Sequence, residues 1–365
     1  MHSTKKNKTK IIIVGSIPPP IGGVSVHIER LILYLEQNNL DYILIDISRK
    51  KKINKTAVKQ YSLYYQPIQT IWTIIKPGIK VIHCILSNHI TKQKLLLLFF
   101  MKLFNCKLTI TFVASPVQTL ADSSVSLSSI LRIARASKQI ISVNTDFKEL
   151  LIGNGISPDK ISIFPVFIPQ QTKNLNMLYV EKELFSFFNK KSLILLTYAY
   201  GPVLHNNVDL YGIDLFIDLA KYLVNHDPNI GFVVKIPGIS QVDNFNKHKK
   251  AIFDAGLENS FYFSINQKSQ FVSILKHTDL FIRATNTDGD AVTVRESLFM
   301  KVPTIASDFC QRPEGTILFK SRDQENLRKV VMATLPKLQE ISTGLSNSKS
   351  NNAERIIDRF QAACE

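Results

Sequence analysis

The sequence predicts an α/β protein built from two Rossmann-like domains. Short apolar runs alternate with segments of helical periodicity along the whole chain, a pattern typical of parallel sheets covered by helices. The length of 365 residues exceeds what one hydrophobic core usually holds. A polar stretch at 169–176 interrupts the pattern near the middle and is the best candidate for a linker.

In the first half, six segments have the apolar composition of buried strands. They are residues 11–14, 42–47, 81–86, 107–112, 140–143 and 161–164. Apolar side chains at helical spacing predict helices over 24–35 and 147–152. A turn region rich in proline and glycine joins the first strand to the first helix, and it ends in Gly22 and Gly23.

The second half repeats this alternation, with strands predicted at 192–197, 231–235, 261–263, 280–283 and 304–306. Helices are predicted at 212–224, 269–276, 292–300 and 352–363. We therefore assign a basic N-terminal tail to 1–10, an N-terminal domain to 11–170, a C-terminal domain to 171–350 and a closing helix to 351–365.

The formal net charge of +16 is placed unevenly. Residues 1–170 hold 22 basic and 8 acidic side chains, whereas residues 171–365 hold 23 and 21. An anionic partner of the first half is expected, either a nucleic acid or an acidic membrane surface. No nucleic-acid-binding signature is visible, so we expect no nucleic acid partner.

Cysteine spacing and hydropathy exclude several classes. The four cysteines are far apart and form no CxxC pair, so neither a zinc site nor a disulfide scaffold is predicted. We expect no signal peptide, and no apolar run approaches the ~20 residues of a spanning helix. The expectation is a cytoplasmic protein that is soluble or attached to a surface.

The stretch 51–100 carries eight lysines and no acidic residue. A helix can begin within it at Pro67. Its apolar side chains fall on one stripe: Ile68, Ile71, Trp72 and Ile75. Two interpretations are open: the stripe rests on anionic lipid, or it is core and the lysines are merely solvated.

Residues 279–300 form a strand, a polar loop and a helix, and they carry two acidic residues eight positions apart, Asp288 and Glu296. Ligands bind at strand ends in doubly wound sheets, and the amides of a helix N-terminus suit a phosphate. A carboxylate that accepts two hydroxyl hydrogens can clamp a ribose. Asp288-Gly289-Asp290 can also be read as a plain turn or as a DxD metal motif.

These residues resemble glycosyltransferase family 4, whose fingerprint is Glu-x7-Glu followed by a strand similar to GVP-ASD. The chain has Asp288-x7-Glu296, then KVPTIASD at 301–308 and RPEG at 312–315. The match extends to IIIVGSIPPPIGGVSVHIERL at 11–31, KISIFPVFIP at 160–169 and YGIDL at 211–215. It covers nearly the whole chain, in the right order.

The resemblance implies the GT-B fold, with two Rossmann-like domains facing each other across a cleft. It implies a retaining, metal-independent hexosyl transfer without a cofactor, from a nucleotide sugar, with a UDP-sugar favoured over a GDP-sugar. The implied acceptor is a saccharide on a polyprenyl diphosphate, in biosynthesis of a surface polysaccharide such as O-antigen or capsule. Such an enzyme would be peripheral at the inner face of the cytoplasmic membrane.

The resemblance also implies residue roles. Glu296 would hold the ribose and Asp288 the sugar hydroxyls, as the two catalytic positions. The other donor-binding residues would be Gly289, Asp290, Ala291, Val292 and Arg283. Gly22 and Gly23 would form the glycine loop on the acceptor side.

The chain departs from the family at four places, the first of which is Asp288, one methylene shorter than the family's usual Glu. The basic residues for the donor diphosphate would fall near 198–201 and at Tyr211, where this chain has none, and Val113 replaces a histidine. The candidates for the missing charge are Lys235, Arg283, Arg295 and Arg312, with Arg283 favoured because it ends the nearest strand. A nucleotide-sugar epimerase and a non-catalytic nucleotide-sugar-binding protein remain as alternatives.

Overall fold

The computed structural model describes most of the chain. The described residues are 10–18, 23–47, 60–76, 80–86, 92–104, 106–113, 126–143, 145–165, 167–169, 179–239, 241–265, 270–288, 291–345 and 352–364. The chain divides into two compact units, one of 1–168 with 351–365 and one of 169–350. Of the predicted linker, residues 170–176 lie outside the described part.

The first unit contains a seven-stranded parallel sheet with the order β3-β2-β1-β4-β5-β6-β7. Its strands are β1 (Lys10–Gly15), β2 (Tyr42–Asp46), β3 (Gln60–Ser62), β4 (Lys80–Leu86), β5 (Lys107–Phe112), β6 (Gln139–Ser142) and β7 (Ile161–Ile163). Alternate residues of β1 enter different cores, Ile12 on one face of the sheet and Ile13 on the other. The sheet is therefore buried on both faces, which explains the nearly continuous apolar runs of its central strands.

Helices cover both faces of this sheet. They are α1 (Gly23–Gln37), α2 (Pro67–Ile75), α3 (Lys92–Leu103), α4 (Leu127–Ala136) and α5 (Thr145–Gly153), and α13 (Ala353–Ala362) from the chain's last segment. Ile74 of α2 and Leu98 of α3 pack in the core that contains Ile12. Ile28 of α1 and Phe360 of α13 pack on the opposite face.

The second unit contains a six-stranded parallel sheet with the order β12-β11-β8-β13-β14-β15, and a small hairpin. The strands are β8 (Leu193–Tyr198), β9 (Leu204–His205), β10 (Val208–Asp209), β11 (Ile230–Ile236), β12 (Phe261–Ile265), β13 (Leu280–Arg283), β14 (Thr304–Ser307) and β15 (Ile317–Phe319). In the hairpin β9–β10, the turn residues Asn206 and Asn207 both have positive φ. Asparagine tolerates this conformation better than most residues.

Seven helices belong to the second unit among the described residues. They are α6 (Lys182–Phe188), α7 (Ile213–Val224), α8 (Val242–Asp254), α9 (Phe271–Leu275), α10 (Val292–Phe299), α11 (Gln324–Thr334) and α12 (Leu338–Gly344). β8 lies between β11 and β13, so the strand order reverses beside it. The loops after β8 and β13 therefore meet at a switch point, where doubly wound sheets bind ligands.

The chain leaves the first unit and returns to it at neighbouring points. The backbone N–H of Asn352 donates to the carbonyl oxygen of Phe167 at 3.2 Å. Arg30 Nη1 donates to the next carbonyl oxygen, that of Ile168, at 3.0 Å. The second unit is thus inserted between two segments of the first.

Several observed elements were absent from the sequence prediction, and they share a physical reason. β3 and β15 are edge strands with little burial: β3 has no buried residue and β15 has one, Phe319. α8 and α11 carry mostly polar side chains, with three buried residues each. Among the described residues, no helix combines the length and the apolar content needed to cross a membrane.

Candidate functional site

Two arginines and one aspartate meet at the carboxyl ends of β13 and β14. Arg283, the last residue of β13, donates from Nε to Asp288 Oδ2 at 3.1 Å and from Nη2 to Oδ1 at 3.4 Å. Arg312 donates from Nη1 to the same Oδ2 at 3.0 Å. Two guanidinium groups therefore share one carboxylate, which leaves the cluster with a net positive charge.

Hydroxyl groups fix the position of this cluster. Thr285 Oγ1 donates to Asp288 Oδ2 at 3.1 Å, and Ser307 Oγ donates to the carbonyl oxygen of Thr285 at 2.6 Å. Arg312 also donates to the carbonyl oxygen of Ser307 at 3.0 Å, and its side chain is 2% exposed. The buried side chain of Arg312 thus links the loop after β13 to the end of β14.

The charges in the cluster stabilise one another. Burial acts to raise the pKa of Asp288, but Arg283 and Arg312 outweigh it and hold the pKa below its usual value. The Asp288 carboxylate in turn raises the pKa of Arg283 against the effect of burial. Asp288 and Arg283 are therefore both ionised at neutral pH.

Arg283 keeps donors for a ligand. A guanidinium has five N–H groups, and three are used: two on Asp288 and one, from Nη1, on the carbonyl oxygen of Tyr198 at 2.9 Å. Each terminal nitrogen retains one hydrogen with no acceptor among the described residues. The guanidinium also lies 5.2 Å from the ring centre of Tyr211. It therefore contacts both positions at which the family resemblance leads one to expect a basic residue, Tyr198 and Tyr211.

The start of α10 adds further donors beside the cluster. Ala291 is the N-cap residue and offers no side-chain cap to the first turn. The backbone N–H groups of Val292 and Thr293 have no acceptor among the described residues, and the Thr293 hydroxyl is buried without a partner there. Exposed amides at a helix N-terminus attract anions, so this end of α10 can contribute to the same phosphate site.

Glu296 lies on α10 and is buried. Its carboxylate acts on Tyr198: burial raises the pKa of Tyr198, Arg283 opposes this effect, and the charge of Glu296 adds to it. Glu296 therefore lies close enough to the end of β8 to interact with the residue that anchors Arg283. A carboxylate held at this depth is suited to accept hydrogen bonds from the hydroxyls of a bound ligand.

The loop before α7 is held next to the cluster by Asp209. Its Oδ1 accepts from the backbone N–H groups of Tyr211 and Gly212, both at 2.9 Å. Its Oδ2 lies 2.8 Å from His248 Nε2 on α8. Asn286, in the loop after β13, donates from its side chain to the carbonyl oxygen of Asp209 at 3.2 Å. These contacts hold the backbone of the loop that carries Tyr211, and the Tyr211 ring is thereby kept in contact with Arg283.

Gly212 is required by this arrangement. It has a φ of 70°, in the left-handed region, and a Cβ there would overlap the backbone oxygen of Ala284, directly after Arg283. Its missing side chain thus lets the start of α7 approach the end of β13. The YGIDL match at 211–215 contains the signal for this contact, although spacing alone does not reveal the close approach.

We expect Gly212→Ala to lower the free energy of unfolding by about 2 to 4 kcal/mol, because left-handed strain and steric overlap add. Chemical denaturation measures the loss. Gly256→Ala is the matched control, since Gly256 has a φ of 65° in the same unit but open space around its Cα. It should lose only about 1 to 2 kcal/mol. Equal losses in the two variants would contradict the overlap.

The other predicted site residues are distributed as follows. Gly289, Asp290 and Gly22 lie outside the described residues, and Gly23 begins α1 in the first unit. Val113 follows β5 and packs against a core cluster of that unit. The structure brings together Arg283, Asp288 and the start of α10, with Glu296 near Tyr198.

The other two candidate cations are Lys235 and Arg295. Lys235 Nζ donates to Ser264 Oγ at 3.2 Å, and burial lowers the pKa of Lys235 to about 8, opposed by Glu181. Arg295 lies on α10 and is half-buried. Of the four cations considered from sequence, Arg283 and Arg312 form the cluster.

The electrostatics also bear on the DxD alternative. A divalent cation prefers carboxylate oxygens with spare negative charge. Asp288 Oδ2 already accepts from Arg283, Arg312 and Thr285, and two adjacent guanidinium charges repel a cation. The Asp288 side chain is therefore poorly suited as a metal ligand.

Sequence reasoning missed the supporting residues. Thr285 and Ser307 lie on neighbouring strand ends, and their polarity at the end of an apolar run was the only signal. Asp209 and His248 are 39 positions apart and meet because α8 packs against α7. No pattern in one sequence reveals that pair.

No protein-family model and no curated protein matches the chain by sequence. Solved structures nevertheless match it over nearly its whole length. A glycosyltransferase from Rickettsia africae ESF-5 is 14% identical, with a TM-score of 0.74 and 99% of each chain covered. The N-terminal domain of Candida albicans trehalose-6-phosphate phosphatase is 13% identical, with a TM-score of 0.71 and coverage of 100% of this chain and 98% of that one.

Anabaena HepE, solved with UDP and glucose, is 12% identical, with a TM-score of 0.66 and coverage of 96% of this chain and 97% of that one. At such low identity these similarities establish the fold alone. They confirm the predicted fold class: the chain is an α/β protein with two parallel sheets and follows the GT-B fold of these structures.

Proposed function

We propose that the chain is a retaining glycosyltransferase of family 4 that transfers a hexose from a nucleotide sugar to a saccharide acceptor. The observation that carries the proposal is the Arg283–Asp288–Arg312 cluster at the switch point of the second sheet, beside the start of α10. It offers a net positive charge and unused N–H donors where a diphosphate would lie. The fold shared with Anabaena HepE, which was solved with UDP-glucose, is consistent with this donor class.

In this proposal, Arg283 and the first amides of α10 bind the donor diphosphate. Negative charge grows on the leaving diphosphate as its bond to the anomeric carbon breaks, and donors fixed in advance stabilise that charge. Glu296 holds the ribose. The family's basic residues would lie near Tyr198 and at Tyr211. In this chain Arg283, which contacts both residues, binds the diphosphate in their place.

The acceptor hydroxyl attacks the anomeric carbon from the face that the diphosphate leaves, so the configuration is retained. The carbon–oxygen bond to the diphosphate breaks with its electron pair, and the acceptor proton passes to the departing oxygen. No nucleophile from the protein, no metal and no further cofactor is required. The sugar contact assigned to Asp288 stays a prediction, and its carboxylate has the additional task of orienting Arg283.

The basic first unit would receive the acceptor. We propose a saccharide linked to a polyprenyl diphosphate, used in biosynthesis of a surface polysaccharide such as O-antigen or capsule. A lipid-linked acceptor places the enzyme in the cytoplasm at the inner face of the cytoplasmic membrane. Its diphosphate matches the positive charge of residues 1–170.

The test is a transfer assay with purified protein, a panel of UDP- and GDP-sugars and a lipid-linked acceptor. We expect turnover with one donor, favouring UDP, and a loss of about 10² to 10³-fold in Glu296→Ala, because a buried contact to the donor is removed. Glu325→Ala is the control, since Glu325 is exposed on α11 in the same unit.

Three outcomes would contradict parts of the proposal. Unchanged transfer by Glu296→Ala would reject the ribose role of Glu296. Isomerised nucleotide sugar formed from the donor alone would indicate an epimerase. Donor binding in calorimetry, with no turnover of any acceptor, would indicate a non-catalytic binding protein.

A further inference from the structure

The outer face of α2 is apolar and exposed. Trp72 is 69% exposed and Ile68 is 67% exposed, and Ile71 and Ile75 beside them are also exposed. The inward face of the helix is supplied by Thr70 and Ile74. The interpretation of the Ile68–Trp72 stripe as core is therefore wrong.

A second helix on the same face of the sheet also exposes apolar side chains. α3 covers the same face of the sheet as α2, and its Leu96 is 71% exposed. Tyr64 and Tyr65, just before α2, are exposed as well. We define the docking face as the exposed apolar residues of the two helices: Ile68, Ile71, Trp72, Ile75, Leu96 and Leu103.

Three helices on this side of the sheet carry charge of one sign, whereas α5, which packs on the same core beside β6 and β7, holds Asp146 and Glu149. The helices α2, α3 and α4 all pack on the same core and contain five basic and no acidic residues. Lys76, which caps α2, is exposed. The sequence directly before β3 adds a further basic run, RKKKINKTAVK at 49–59. The exposed apolar side chains of α2 and α3 thus belong to a part of the sequence that is rich in basic residues.

We propose that the docking face inserts into the interface of an anionic lipid bilayer. A helix lying in the plane of such an interface buries an apolar face at the headgroup boundary while basic residues bind anionic headgroups. Tryptophan and tyrosine side chains prefer the membrane–water interface. Trp72 lies on the docking face, and Tyr64 and Tyr65 lie just before α2. The inference rests on the proposed function for the location of the acceptor and names the element that brings the enzyme there.

A second copy of the chain fits this face less well. An isologous dimer would place the same surface against itself, so the lysines of α3 in one copy would meet those of the other, with no acidic residue in α2 or α3 to pair with them. A bilayer rich in anionic lipid supplies the opposite charge. Charge complementarity therefore selects the lipid surface.

Trp72 is the chain's single tryptophan, so its fluorescence reports directly on this helix. We expect its emission to shift to the blue when vesicles of phosphatidylglycerol and phosphatidylcholine are added, and brominated lipid should quench it. Vesicles of phosphatidylcholine alone should have little effect. Added salt should weaken binding, since it screens the lysine contribution.

Variants separate insertion from simple charge attraction. Ile68→Asp keeps the reporter and should lower the partition coefficient about tenfold or more, because an apolar contact is lost and a negative charge is added. Phe253→Asp is the matched control: Phe253 is 68% exposed at the end of α8, in the nearly neutral second unit, and should bind vesicles like the parent protein.

Three results would overturn the inference. These are equal partition into anionic and neutral vesicles at low salt, binding without any change in Trp72 emission, and a concentration-dependent blue shift without lipid, which would indicate self-association. The vesicle assay contains neither donor nor acceptor. Donor binding by the same preparation, measured separately by calorimetry, therefore distinguishes a failure of the docking face from a failure of the proposed function.

Discussion

Replacing Arg283 by Gln is expected to lower transfer from the nucleotide sugar by about 10² to 10³-fold, mainly through kcat. The side chain would lose the positive charge nearest the departing diphosphate, whereas Arg312 would still neutralise Asp288. The measurement is steady-state kinetics with the preferred donor, together with calorimetry of UDP binding. UDP itself should bind more weakly, because it retains the diphosphate.

Arg328→Gln is the matched control for this substitution. Arg328 lies 5.4 Å from the ring centre of Tyr222 and pairs with Glu325 at 2.6 Å, so it reproduces the cation–ring geometry of Arg283 on α11. It should retain the parent's kinetics. If Arg283→Gln transfers sugar as well as Arg328→Gln does, the diphosphate does not bind at Arg283.

Asp288→Ala is expected to lower the free energy of unfolding by about 3 to 5 kcal/mol. Two buried guanidinium groups, those of Arg283 and Arg312, would lose the carboxylate that neutralises them. Chemical denaturation measures the change. Asp288→Asn keeps one acceptor oxygen but loses the charge, so its loss should be smaller.

The control for Asp288 is an ion pair in the same unit that is open to solvent. Asp254 pairs with Lys250 at 2.7 Å, and both side chains are largely exposed. Asp254→Ala should change stability by no more than about 0.5 kcal/mol. A loss in Asp288→Ala as small as that of Asp254→Ala would show that the buried cluster does not depend on its carboxylate.

The sheets could be predicted because each central strand is buried on both faces and reads as an apolar run. β5 and β13 occur at the residues expected, 107–112 and 280–283. α8 was not predicted, because only Asn244, Phe245 and Ile252 of its thirteen residues are buried. Its position depends on tertiary packing against α7, which local periodicity does not encode.

The site was predictable where the chain itself brings residues together. Arg283 and Asp288 are five positions apart across one strand end, so their proximity follows from the predicted strand. Arg312 reaches Asp288 only because β14 pairs with β13, which places two distant loops at one edge of the sheet. The tie of Asp209 to the N–H groups of Tyr211 and Gly212 depends on the backbone geometry of the loop.

The insertion of the second unit into the first has a consequence for biosynthesis. α13 supplies Ile356 and Phe360 to the core beneath β1, yet the ribosome makes it only after the whole second unit. Domains usually fold in the order of their synthesis. Synthesis of the first unit begins before that of the second unit and ends after it. The incomplete core of the first unit must therefore be kept from aggregating while the second unit folds.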